Sequence, residues 1–306
     1  MDRRQFLKTL TAAAAPLVVP STMLSGGDRA PPSQRVAIGI IGAGAMGSAH
    51  ARAFSTMPGA HVRAVCDVDA AHRRTAAAIV NAAYRNADCD QTADLTALLA
   101  RTDIDAVVIA LPDHWHMTAA ILAARAGKAV YCEKPLAWSI GQGRRVVRAA
   151  DKGEIVFQCG TQQRSAFRFR RACELVRNGR IGRVHTVQVG LPAGDVWAGD
   201  ATAGAPQAVP AGLDWQKWLG PAPARPYRRD CCHVNWRYVS DFGGGPVTDW
   251  GAHHIDIVHW AMNCDRSGPS RIEPLAAAFP RAGPWDTPLT FHVRCRYGRR
   301  CATNRR

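Results

Sequence analysis

Apolar residues fall along this chain in two rhythms. Short unbroken runs rich in β-branched side chains alternate with stretches in which apolar positions recur every three or four residues. The runs read as buried strands and the stretches between them as helices lying on those strands. Val36-Ala-Ile-Gly-Ile-Ile41 opens the series and breaks into Gly42-Ala-Gly44-Ala-Met-Gly47, after which helical spacing holds as far as Phe54. Val62-Arg-Ala-Val-Cys66 follows, ending in Asp67, and helical patterns occupy 70–83 and 94–100. The clearest run is 104–111. It gives way to Pro112-Asp-His-Trp-His116 and to a helix over 117–126 that Gly127 closes. Ala129-Val-Tyr-Cys132 then ends in Glu133-Lys134-Pro135. Strand and helix alternate from 36 to about 157, which predicts a doubly wound parallel sheet.

Past that point the pattern weakens. A helix is expected over 160–178, closed by Gly179-Arg-Ile-Gly182, and Val184-His-Thr-Val-Gln-Val189 alternates like a half-buried strand. The stretch 191–232 is rich in Pro, Gly, Ala and Trp and predicts no firm element; Trp215 and Trp218 read there as packing residues rather than sugar platforms. Asp241-Phe-Gly-Gly-Gly-Pro-Val-Thr-Asp249 is a glycine turn that feeds a helix with Thr248 as its N-cap.

The chemistry-bearing residues gather at strand ends. In the glycine stretch, Gly42 allows the turn, Gly44 lets backbone approach a pyrophosphate, and Gly47 lets helix pack on strand, with the phosphates at the helix N-terminus. Asp67, about twenty residues past Gly47, can accept hydrogen bonds from both adenosine ribose hydroxyls, and its charge repels a 2′-phosphate. NAD is therefore expected over NADP. Ligands of such sheets sit beyond the strand carboxyl ends, so Gly42, Asp67, 112–116 and Glu133-Lys134 converge on one crevice. In the second half, Asp249, His253 and Asp256 lie at i, i+4 and i+7 on one helical face, with His254 about a quarter-turn away. A carboxylate one turn before an imidazole can fix its tautomer, which suits a general acid/base histidine. His253, His254, Asp256 and His259, with His114 and His116, also offer metal ligands, but no spacing matches a known zinc site and no metal is expected.

Four segments taken together resemble the Gfo/Idh/MocA oxidoreductases, relatives of glucose-fructose oxidoreductase and inositol dehydrogenase. They are the glycine motif with His50 three residues on, Pro112-Asp-His-Trp-His116, Ala126-Gly-Lys-Ala-Val-Tyr-Cys-Glu-Lys-Pro135, and Asp249-Trp-Gly-Ala-His-His-Ile-Asp256. The resemblance implies a Rossmann domain over 35–157 and, over 158–306, an α+β substrate domain with an open, mostly antiparallel sheet. It makes Lys134 the active-site lysine, places Glu133 near the nicotinamide ribose, suggests a cis Lys134-Pro135 bond, and matches Asp249 and His253 to a catalytic pair. The expected cofactor contacts are Gly42, Gly44, Ala45, Met46, Gly47, Asp67, Leu111, Pro112, His116, Glu133 and Lys134. His116, Arg164, Trp236, Tyr238 and His254 are candidate substrate contacts. His253 is expected to exchange the proton while Lys134 holds the oxygen, with the opposite assignment open.

Net oxidation or reduction of a sugar, cyclitol or glycoside fits these residues. So does a cycle that keeps NAD bound and eliminates a glycosidic bond. The stretch from Val293 to Arg306 stops in mid-strand and is unusually basic where relatives continue, so the second sheet is expected to be incomplete, and an inactive nucleotide-binding remnant is a third reading. A homo-oligomer through that sheet is a further expectation. At the other end, Arg3-Arg-Gln-Phe-Leu-Lys8 and the alanine-rich run after it resemble a twin-arginine export signal, with 1–34 as signal and linker. The export machinery is then a partner and the protein is periplasmic or membrane-associated; it is cytoplasmic if the signal does not function. The run is too short for a membrane span.

Composition adds little to this and removes several classes. With 306 residues and 47% hydrophobic content the chain can bury a sizeable core. The net charge of +15 is scattered in twos and threes with no aromatic-interleaved basic stripe, so a nucleic-acid partner is not expected. Ten cysteines without a Cys-x-x-Cys pair encode neither a zinc ribbon nor a disulfide scaffold.

Overall fold

The computed structural model describes residues 34–137, 139–194, 205–281 and 283–298. The twin-arginine-like segment and residues 299–306 of the basic end fall outside them. Six parallel strands form the first sheet: β1 (Val36–Ile41), β2 (Ala60–Cys66), β3 (Asp90–Thr92), β4 (Ala106–Ile109), β5 (Ala129–Glu133) and β6 (Phe157–Gly160), in the order β3-β2-β1-β4-β5-β6. β6 carries the sheet past the boundary expected at 157. The helices between them are α1 (Ala45–Thr56), α2 (Ala70–Tyr84), α3 (Leu95–Leu99), α4 (Asp113–Arg125) and α5 (Ile140–Gly153). The order reverses between β1 and β4, which opens a crevice beyond the strand carboxyl ends.

The strand sequences show why the sheet is buried on both faces. Along β1 and β4, Ile38, Ile40 and Val108 enter one apolar cluster with Val62, Val65 and Val80, whereas Ile41, Val107 and Ile109 enter the opposite one with Leu98, Val130 and Val146. Successive strand side chains alternate faces, so a continuous apolar run supplies both. In α4, Ala119, Ala120, Ala123 and Ala124 are all buried, and their small side chains let this helix lie close on the sheet.

The second half is built differently. The expected helix over 160–178 divides into a 3₁₀ turn at Gln162–Ser165 and α6 (Phe167–Arg177). The alternating stretch Val184 to Val189 is not a strand; it is mostly exposed and no strand pairs with it among the described residues. A short α7 (Trp215–Leu219) is capped by Asp214, whose carboxylate accepts from the Lys217 amide. α8 (Trp250–Ala261) has Asp249 rather than Thr248 as its N-cap; Thr248 has helical φ −87° and ψ −23°, and its hydroxyl donates to the Asp113 carboxylate. β7 (Arg271–Ala278) and β8 (Thr290–Arg296) pair antiparallel, and most residues on both are exposed. The core here is aromatic: Trp215, Trp218, Tyr227, Trp236, Phe242 and Trp285 cluster against Val68 of the first domain. Trp215 and Trp218 stack at 4.7 Å, as their packing role requires.

Candidate active site

One crevice of about 390 Å³ runs along the carboxyl ends of the first sheet and is closed from the other side by the second half. Its first end is the glycine turn. Gly42 sits at φ +87°, and a Cβ there would lie 2.4 Å from the Ala110 carbonyl oxygen. At Gly47 a Cβ would lie 1.7 Å from the Gly42 carbonyl oxygen, so the glycine lets α1 close on the turn itself. A Cβ at Gly44, the N-cap of α1, would meet only the His72 ring, at 3.9 Å, and no side chain caps the helix there, which leaves first-turn amides for an anionic ligand.

Asp67 ends β2 beside this turn. Its carboxylate accepts from the Ala43 amide at 2.7 Å and the Asp69 amide at 2.8 Å. Burial works against the charge, but the His72 imidazole 3.6 Å away and the two amides outweigh it and hold the carboxyl below its ordinary pKa. An ionised acceptor next to an open helix N-terminus fits an adenosine ribose and pyrophosphate. Of the expected cofactor contacts, Gly42, Gly44, Ala45, Met46, Asp67, Leu111, Pro112, Glu133 and Lys134 line the crevice, and Gly47 does not.

At the other end, Lys134 leaves β5 through a cis bond to Pro135, and its Nζ donates to Asp249 Oδ1 at 2.5 Å. Glu133 is buried and held by His50 Nε2 at 2.8 Å, a partner that sequence reading noted only as part of a motif. The spacing argument expected Asp249 to hold His253; its carboxylate instead takes Lys134, with Arg237 Nε 3.6 Å from the second oxygen. The reason is local. Asp249 is the N-cap, with non-helical φ −80° and ψ −84°, so its side chain is not stacked over the next turn. His253 is buried behind the crevice wall with Nδ1 unpartnered, and burial together with the Lys134 charge lowers its pKa.

Four other expected contacts go elsewhere. His116 is fully buried and pins the Pro135 carbonyl through Nδ1 at 2.7 Å, and burial lowers its pKa against the pull of that carbonyl. It supports the lysine loop without reaching the crevice. Arg164 clamps Asp256 through two 2.7 Å bonds and Asp265 through one of 2.6 Å, which ties the 3₁₀ turn to α8. Tyr238 and His254 are not among the lining residues; Trp236 is. His254 stacks on Trp250.

Two lining residues had been given no role of their own, Asp113 only as part of the 112–116 motif and Arg237 not at all. Asp113 follows the Pro112 N-cap as the first residue of α4 and lines the crevice; burial pushes its carboxyl up to about 7 despite the opposing Lys134 charge. Arg237 lies 4.5 Å over the Trp236 ring and bounds the same end. Only the Pro-Asp junction after a strand signalled the first, and nothing local signalled the second. The histidines considered as ligands are dispersed: His114 to the Trp218 carbonyl, His259 to Tyr297, His116 to Pro135. Among the described residues, one group of metal-ligating type does converge, Asp69, His72 and His233, at the Asp67 end.

Residues 36–161 match the oxidoreductase-family NAD-binding Rossmann fold, and 167–282 match the oxidoreductase-family C-terminal alpha/beta domain. Levoglucosan dehydrogenase of Pseudarthrobacter phenanthrenivorans is 34% identical over 153 residues, covering 49% of this chain and 39% of that protein. Inositol 2-dehydrogenase of Rhizobium meliloti is 32% identical over 154 residues, 50% of this chain and 44% of its own length. A 2,7-anhydro-N-acetylneuraminate hydratase of Mediterraneibacter gnavus is 36% identical over 97 residues, 32% of this chain and 26% of its own. The chain thus spans less than half the length of these relatives. A WlbA dehydrogenase solved with NADH and UDP-GlcNAcA shares the fold over 94% of this chain and 67% of its own, with TM-score 0.63 and 22% identity. With both of its domains matched in order from 36 to 282, the chain belongs to the Gfo/Idh/MocA oxidoreductases and carries their NAD-binding Rossmann domain.

Proposed function

We propose that the chain is an NAD-dependent oxidoreductase acting on a secondary hydroxyl of a sugar, cyclitol or glycoside. The observation that carries this reading is the Lys134–Asp249 contact, one residue from each domain, at the end of the crevice opposite Asp67. The levoglucosan and inositol dehydrogenases among the relatives support the substrate class. Bound NAD supplies a hydride acceptor. The side chains then have to hold a hydroxyl and take its proton, and the Lys134–Asp249 pair does so as a unit, the substrate proton passing to Lys134 Nζ as one of the Nζ protons passes along the existing bond to the Asp249 carboxylate. Glu133, fixed by His50, and Asp113, held by Thr248, set the charge around it. His253, its pKa lowered, backs the pair as a neutral imidazole. This assigns the proton to Lys134 rather than His253.

Reduction of NAD with a panel of cyclitols and anhydrosugars tests the reading. Lys134→Met should lower the rate by roughly 10²–10⁴-fold, and a rate equal to wild type removes the proposal. The 36% identity to an anhydro-sugar hydratase favours a second reading, in which NAD is recycled and a glycosidic bond is eliminated. Released aglycone without net NADH selects it. We further infer export from Arg3-Arg4 and the alanine-rich run, so replacing both arginines by lysine should retain the protein in the cytoplasm.

A further inference from the structure

The stretch 212–233 of the second half forms a connection laced to the β2–α2 loop of the first. The Ala70 amide donates to the Gly212 carbonyl at 2.8 Å and the Asp214 amide to the Val68 carbonyl at 3.1 Å. A third tie is made of side chains. His233, from the later part of the connection, places Nε2 3.3 Å from Asp69 Oδ2, and its ring meets that of His72 edge-on at 4.6 Å. His233 holds a left-handed backbone, φ +58°, which aims the imidazole back at the first domain.

We propose that Asp69, His72 and His233 form a binding site for a divalent cation of the zinc class. One ligand atom from each lies within 4.8 Å of the others. Metal–ligand distances of about 2.0–2.1 Å in a tetrahedral site put neighbouring ligand atoms roughly 3.3 Å apart. The Asp69–His233 separation already has that value. The donor set of two imidazoles and one carboxylate suits zinc and its neighbours over magnesium or calcium.

Asp69 and His233 are free to serve, whereas His72, whose Nδ1 lies 3.6 Å from Asp67 Oδ2, either gives up that contact or binds through Nε2. Asp69 caps α2 through Oδ1, which accepts from the Ala71 and His72 amides, so Oδ2 remains available. The positive end of α2 opposes a cation with about half a charge. The carboxylates of Asp67 and Asp69 answer with two. All three side chains keep some exposure, so a cation reaches them from solvent. His72 and His233 also line the crevice beside Asp67. A cation there clamps the connection over the adenosine end of the cofactor site.

The test is Zn²⁺ and Co²⁺ titration of the purified full chain, compared with two variants chosen to fold. Asp69→Asn keeps the helix cap, and His233→Asn tolerates the left-handed backbone. Wild type should bind one ion per chain, give ligand-field bands without thiolate charge transfer when Co²⁺ is used, and melt at a higher temperature with Zn²⁺. Each variant should bind at least about tenfold more weakly and lose the melting shift. Equal affinity in the variants, or a thiolate band showing that cysteines take the ion, overturns the proposal. Neither readout depends on the substrate or on turnover, so the result stands apart from the proposed activity.

Discussion

The two halves of this molecule reach order by different routes. In the first, every strand pairs with a sequence-near neighbour and sends alternate side chains into cores on both faces of one sheet. In the second, the sheet has two strands among the described residues, with exposed faces, and the core is a set of aromatic rings from α7 and the turns after it leaning on Val68 and on the start of α4. His114 and Trp115 of α4 both bind the Trp218 carbonyl. The first half is therefore self-supporting. The second half takes its order near the site from the first, and Lys134 meets Asp249 only because that docking holds.

The sharpest way to break the comparison is at glycines. Gly47→Ala puts a Cβ against the Gly42 carbonyl oxygen, a contact that only backbone movement relieves. We expect loss of NAD binding and of about 4 kcal/mol or more in urea unfolding. Gly268→Ala in the second half meets nothing within 4 Å and should change stability by less than about 0.5 kcal/mol. Next is Trp218→Ala, which empties the aromatic core at the seam. A cost of about 3–5 kcal/mol is expected. Hydrogen exchange should speed up over 213–242 while β1 and β4 stay protected; equal loss in both would mean the halves are one cooperative unit.

The seam also titrates. Burial raises the Asp113 carboxyl from 3.8 to about 7, so the folded state binds its proton more tightly than the unfolded chain does. Below pH 4 both states hold the proton and the group costs nothing. As pH rises from 4 to 7 the cost grows, and above 7 it is complete. The full shift corresponds to roughly 4 kcal/mol, and because Asp113 faces an open crevice about 2 kcal/mol is expected. Asp113→Asn, which still accepts from Thr248, should raise stability by that amount at pH 8 and leave it unchanged at pH 4. Denaturation curves at the two pH values measure it.

What sequence could disclose follows the same division. The strand, glycine turn and helix from 36 to 56 were legible because each rests on local spacing, and Asp67, Glu133 and Lys134 followed as strand ends. Long-range pairing was not legible. The 184–189 stretch alternates correctly, but alternation supplies no partner strand. Helical spacing placed Asp249 over His253, yet a residue at the N-cap does not obey that spacing. Arg164 shows no local sign that Asp256 and Asp265, about a hundred positions on, already occupy it. The Asp69, His72 and His233 group was missed for the same reason.

The smallest expected effect lies in the second sheet. Ile272 is 62% exposed on β7, where it stands opposite Cys295 of β8. Ile272→Thr keeps a β-branched side chain, so strand preference barely changes, and there is little buried apolar area to lose. A change within about 0.5 kcal/mol is expected. The matching swap in the first sheet, Val65→Thr, puts a hydroxyl into a site with no exposure and should cost about 2 kcal/mol. Urea unfolding of the pair tests whether the two sheets differ as described. If Ile272→Thr costs as much as Val65→Thr and the cost grows with protein concentration, the face is covered in solution by a second copy. The second sheet would then be a core shared between chains rather than a surface.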